Sequence, residues 1–95
     1  MGFKLIFTNE AKAQLEALDG DEKKLKRVRK CLCYLERNPK HPGLSSHKYS
    51  VMKTEDNQDL WESYVENNTP AAWRVFWFYG PKESVITIVS ITSHP

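Results

Sequence analysis

No stretch of this 95-residue sequence approaches the roughly 20 consecutive apolar residues that a membrane-crossing helix requires. The opening Met1-Gly2-Phe3-Lys4 has neither the apolar stretch nor the small-residue cleavage site of a secretory leader. Cysteine is scarce. Cys31 and Cys33 lie one residue apart, too close for an ordinary structural bridge. On a helix they point about 200° apart, and no paired His/Cys ligand spacing accompanies them, so no metal or other cofactor is expected. Internal repeats, linkers and low-complexity tracts are also missing. These absences predict one domain over residues 1–95, in a reduced cytoplasmic compartment and away from membranes.

What is present is an ordinary hydrophobic content of 40% and a generous aromatic content of 12%, with three Trp. A chain this short buries only about 60–65% of its unfolded surface, so a few large side chains must build the core. The net charge of +2 conceals a division. Six of the eight residues from Lys23 to Lys30 are basic, whereas Glu55 to Glu66 holds five carboxylates and no cation. Such asymmetry directs one surface toward a polyanion.

Phe3 to Phe7 reads as a strand with Phe3, Leu5 and Phe7 on one face. Thr8 or Asn9 can cap the helix that follows, in which Ala11, Leu15 and Leu18 recur at helical spacing. Asp19-Gly20-Asp21 is a turn, and Asp21 can cap a second helix with the apolar stripe Leu25, Val28, Leu32 and Leu35. Lys23, Lys26, Arg27, Lys30 and Arg37 fall on its other side, and Pro39 ends it. The short connection predicts an antiparallel helix pair. Lys40 to Ser46 is loop by composition. Leu60–Glu66, Trp73–Tyr79 and Ser84–Ile91 then read as three strands, with turns at Asn67–Pro70 and Gly80–Glu83. The expected fold is therefore α+β: an N-terminal strand, a helix pair and a three-stranded antiparallel meander. Five of the seven residues from Trp73 to Tyr79 are aromatic, on both faces, as in a central strand.

Arg74 interrupts that aromatic run. A guanidinium is costly to bury unpaired, so it meets either a carboxylate of the neighbouring strand, Glu62 or Glu66, or an anionic ligand such as phosphate. His94 follows the last strand, with Ser90 and Thr92 on its own face; it is either a cleft residue or terminal surface. His41, His47 and Lys48 lie in the region before the meander, as binding residues at a sheet end or as solvated side chains. The basic helix face is either solvated or a phosphate-contacting surface with strong salt dependence.

The order of these elements resembles the RelE/ParE toxin superfamily over nearly the whole chain. Ala11, Leu15 and Leu18, the long basic second helix, and the strands Leu60–Val65, Trp73–Trp77 and Val85–Ile88 carry the likeness. The resemblance implies a toxin neutralised by a small acidic antitoxin. RelE-like members cleave messenger RNA in the ribosomal A site without metal, whereas ParE-like members inhibit DNA gyrase. By this likeness Arg74 would stabilise the crowded phosphorane and His94 would act as acid or base, with Lys48 and His47 as helpers. Lys23, Lys26, Arg27, Lys30 and Arg37 would contact RNA or the ribosome. The non-enzymatic alternative is a gyrase inhibitor or a catalytically degenerate toxin relative. Glu62 and Tyr64 stand where strongly basic nucleases of the family carry lysines.

Overall fold

The computed structural model describes residues 2–66 and 72–93. Strand β1 (Lys4–Phe7) leads into helix α1 (Asn9–Glu16), followed by helix α2 (Glu22–Arg37) and a single 3-10 turn (Pro42–Leu44). Four strands complete the fold: β2 (His47–Lys53), β3 (Asp59–Tyr64), β4 (Trp73–Tyr79) and β5 (Val85–Ser93).

Both helices begin where a side chain can satisfy an orphan amide. Thr8 accepts from the Ala11 N–H at 3.1 Å, and Asp21 accepts from the Lys24 N–H at 3.1 Å. Helix α2 ends at Arg37, two residues before Pro39, and Asn38 takes the extended conformation of a C-cap. The apolar stripe of α2 turns inward as its spacing dictates. Val28, Cys31, Leu32 and Leu35 are buried, whereas Lys23, Lys26, Arg27, Lys30 and Arg37 are exposed.

The sheet has five strands in the order β1-β5-β4-β3-β2. The three-stranded meander expected from the sequence is in fact four antiparallel strands, β2 to β5, and β1 joins β5 in parallel, Lys4 opposite Val85 and Phe7 opposite Ile88. The added strand, residues 47–53, lies between the loop expected at Lys40 to Ser46 and the first expected strand of the meander. It has little to bury: every residue of β2 except Tyr49 is exposed, so no apolar alternation announces it. The aromatic strand β4 sits in the middle of the sheet, between β3 and β5.

One face of the sheet packs on the helices. Val75 and Trp77 of β4 and Ile86, Ile88 and Ile91 of β5 are fully buried in one cluster with Ala11, Val28, Leu32 and Leu35. Phe3, Leu5 and Phe7 pack against it from β1. A polar chain crosses this core. The Trp77 indole N–H donates to Ser63 Oγ at 2.8 Å, and Ser63 Oγ meets Ser46 Oγ at 2.6 Å. Ser46 in turn donates to the Pro39 carbonyl at 2.7 Å. The buried indole is thereby satisfied, and the start of β2 is fixed to the sheet.

Candidate functional site

The two-residue period of the strands places a different set of side chains on the face away from the helices. Across that face, His47, Glu62, Phe76 and Ser90 are opposite one another in successive strands, and Tyr64, Arg74 and Thr92 form the next row. Strands β2, β3 and β4 therefore each deliver a charged or titratable side chain to one spot.

At its centre is Glu62, which is buried. Arg74 Nη1 donates to Glu62 Oε2 at 2.6 Å, and His47 Nε2 lies 2.6 Å from Oε1. A buried carboxylate needs such partners, and here each oxygen has one. The His47 ring is oriented from its other side, where Nδ1 lies 2.8 Å from the Ser45 carbonyl. A carbonyl can only accept, so Nδ1 carries a proton. With Nδ1 as the donor to Ser45, Nε2 donates to Oε1 when the ring is protonated. Tyr64 floors it: the Arg74 guanidinium carbon is 4.6 Å from the ring centre, and the His47 ring is 5.6 Å away at a tilt of 51°.

Of the two fates open to Arg74, the carboxylate partner is Glu62, and its side chain is 15% exposed. Its Nε is buried with no partner among the described residues. His47 belongs to the same cluster, on a strand and not in a loop, with its side chain 45% exposed. Lys48 does not join it. As the next residue on β2 it projects to the opposite face, where Nζ lies 3.3 Å from Asp59 and 5.8 Å from the centre of the Trp61 ring. His94 and the turn expected at 67–70 lie outside the described residues. Glu62 is one of the two carboxylates that the sequence offers Arg74, and the structure adds that it is buried and also meets His47.

A second concavity, of about 520 Å³, opens between α2, the 3-10 turn and the end of β3. Arg27, Lys30, Tyr34, His41, Tyr64 and Glu66 line it. Glu66 is gripped by Lys24 Nζ at 3.0 Å and Arg27 Nη1 at 2.8 Å. The Lys24 hydrogen bond, more than that of Arg27, holds its carboxyl below the ordinary carboxylate range. Lys24 also lies 5.0 Å from the centre of the Trp73 ring. The five basic residues singled out on α2 thus divide: Arg27 and Lys30 line this concavity, and Arg27 alone is tied to a carboxylate among the described residues. Cys31, at the floor, is inert as a nucleophile because burial pushes its thiol up to about 12.

No group of three or more His, Cys, Asp or Glu side chains among the described residues converges as metal ligands would. No helix among them is long and apolar enough to cross a membrane.

Comparison with known proteins found no matching family model and no matching curated protein. Solved structures do match. The YoeB/ParE toxin from Agrobacterium tumefaciens superposes with a TM-score of 0.74 at 12% identity, over 98% of this chain and 100% of that one. The RelE of the archaeal RelE–RelB complex from Pyrococcus horikoshii OT3 gives 0.69 at 17% identity, over 98% and 96%. YoeB from Staphylococcus aureus, solved as a dimer, gives 0.68 at 17% identity, over 98% of both chains. The chain has the fold of the RelE-like toxin superfamily.

Proposed function

We propose that this chain is the toxin of a type II toxin–antitoxin system and that it cleaves ribosome-bound messenger RNA by metal-independent acid–base chemistry. One observation carries the reading: a guanidinium, a buried carboxylate and an exposed imidazole converge on the helix-free face of the sheet, with the last two 2.6 Å apart. These are the parts that transesterification of RNA needs: a cation for the phosphate and groups that move protons.

In this mechanism the ribose 2′-oxygen forms a bond to the adjacent phosphorus while the bond from phosphorus to O5′ breaks. His47, exposed at the sheet edge, swings off Glu62 with its proton and leaves Oε1 free. Glu62 Oε1 takes the 2′-proton. The Arg74 guanidinium, still anchored through Oε2, faces the developing negative charge on the phosphorane. His94, beyond the last strand, returns a proton to O5′, giving a 2′,3′-cyclic phosphate and a 5′-hydroxyl. Lys48, on the other face, takes no part. The exposed cations of α2, Lys23, Lys26, Arg27, Lys30 and Arg37, meet the message or the ribosome, and the expected contact weakens steeply with salt.

The structural neighbour RelE was solved in complex with RelB. By analogy we assign this chain a small acidic antitoxin.

The Arg74–Glu62 contact also favours a second reading. A guanidinium already neutralised and largely covered suits a non-enzymatic relative, either a gyrase inhibitor or a catalytically degenerate toxin. Mapping transcript ends in cells that express the protein separates the two. Codon-phased cuts across translated messages, lost in Glu62→Gln, are expected. DNA damage without such cuts would instead establish gyrase as the target, and neither effect would leave the degenerate relative.

A further inference from the structure

The geometry points to a nucleotide-binding subsite in the concavity between α2, the 3-10 turn and β3, taking one unpaired nucleotide of single-stranded RNA next to the scissile phosphate. This inference rests on the nuclease reading for its substrate and extends it to a surface which that chemistry does not use.

Three features carry it. First, the lining interleaves rings with cations. Tyr34 and His41 stack with centres 4.4 Å apart and planes 13° from parallel, and Lys30 Nζ lies 5.8 Å from the Tyr34 ring. Rings offer a sequence-tolerant surface to a base, and cations attract its phosphate. Second, the site is built in advance. The Gly43 N–H donates to His41 Nδ1 at 2.9 Å, which leaves Nε2 as the ring's donor. Gly43 itself is what allows the fit, since a Cβ there would stand 3.1 Å from two atoms of the imidazole. Across the concavity, Lys24 and Arg27 fix the Glu66 carboxylate as an acceptor, and with Lys30 they leave the rim positive. Third, it adjoins the reactive cluster. Tyr64 is common to both: it lines the concavity and lies beneath the Arg74 guanidinium.

The volume of about 520 Å³ suits a ligand of nucleotide size. A positive rim fits a phosphate-bearing group, and the fixed carboxylate offers an acceptor to the amino or imino edge of a base.

The test measures fluorescence anisotropy of a labelled single-stranded RNA hexanucleotide whose 2′-hydroxyls are methylated to block cleavage. Lys30→Glu is the primary variant, because its side chain is exposed and the fold does not depend on it. Tyr34→Leu is the second, with its Tm measured alongside. Both are expected to weaken binding about tenfold relative to wild type. Unchanged affinity in Lys30→Glu overturns the subsite. So does binding of an acidic peptide that Lys30→Glu abolishes while the RNA stays unbound, which would make the concavity a protein-docking site. Ribosome-dependent cleavage is scored separately: wild-type cutting that Glu62→Gln abolishes and Lys30→Glu leaves untouched removes the subsite and keeps the nuclease. Absence of cutting by the wild type removes the nuclease, and the anisotropy result then decides the subsite by itself.

Discussion

Arg74 and Glu62 form their ion pair on the diagonal. Arg74 is directly opposite Tyr64, and Glu62 is directly opposite Phe76, yet the guanidinium reaches across one register step to the carboxylate at 2.6 Å. The diagonal leaves Tyr64 free to lie beneath the cation and Phe76 free to meet Tyr49 edge-on at 5.1 Å. Because the carboxylate is buried, the pair has a structural role as well as a chemical one.

Arg74→Ala is therefore expected to cost about 3 kcal/mol of stability, since it strands a buried carboxylate on one remaining partner. A double variant, Glu62→Gln with Arg74→Ala, should cost less than the two single changes added together. Urea unfolding midpoints of the four proteins check this. Loss of toxicity in Arg74→Ala alone does not isolate chemistry from folding, whereas Glu62→Gln, which keeps the shape and removes the charge, separates them better.

Ser63→Ala should cost about 1–3 kcal/mol, because the Trp77 indole N–H would be left in the core without an acceptor. The same change releases Ser46, and with it the start of β2. Faster amide exchange at the beginning of β2 in Ser63→Ala than in the wild type is the expected companion result, measured by hydrogen exchange. Equal protection in the two proteins would mean that the Ser46–Ser63 contact does not fix β2.

The two cysteines differ in kind despite their closeness. Cys33 is exposed, and Cys31 is buried with its thiol pushed up to about 12. A neutral-pH thiol reagent is expected to modify Cys33 alone in the folded protein and both residues in denaturant. Rapid native labelling of both would show that α2 opens easily.

Acid should loosen the end of β3 from α2. The Glu66 carboxyl lies below its ordinary value of 4.5 in the folded chain, with the Lys24 hydrogen bond as the largest cause. Its contribution to stability is fully present above that ordinary value and fades as pH falls through the lower folded value. Glu66→Gln should flatten this part of the acid-unfolding curve. The effect is modest, since Arg27 is exposed and screened by solvent.

Much of the architecture was legible from pattern. Thr8 and Asp21 announce the helix starts, the Leu25–Leu35 stripe announces the buried side of α2, and the aromatic run marks β4 as central. Strand β2 was not legible, because it contributes almost nothing to the core. Val51 and Met52 on it are 79% and 59% exposed, and main-chain pairing to β3 holds it in place. Missing that strand had a further cost. Once His47 and Lys48 are known to be consecutive on a strand, the two-residue period alone assigns them to opposite faces. The Arg74–Glu62 pairing was legible as one of two options, but the burial of Glu62 was not: it is decided by partners 12 and 15 positions away in sequence, which no local window contains.

The parallel pairing of β1 with β5 sets a condition on the order of folding. The Thr8 hydroxyl donates to the Val89 carbonyl, a contact spanning 81 positions. The earliest strand made must wait, unpaired along this edge, until translation has supplied nearly the latest one. Phe3, Leu5 and Phe7 have no sheet to rest on during that interval. Slow closure and a dependence on whatever shields those side chains follow from the connectivity itself.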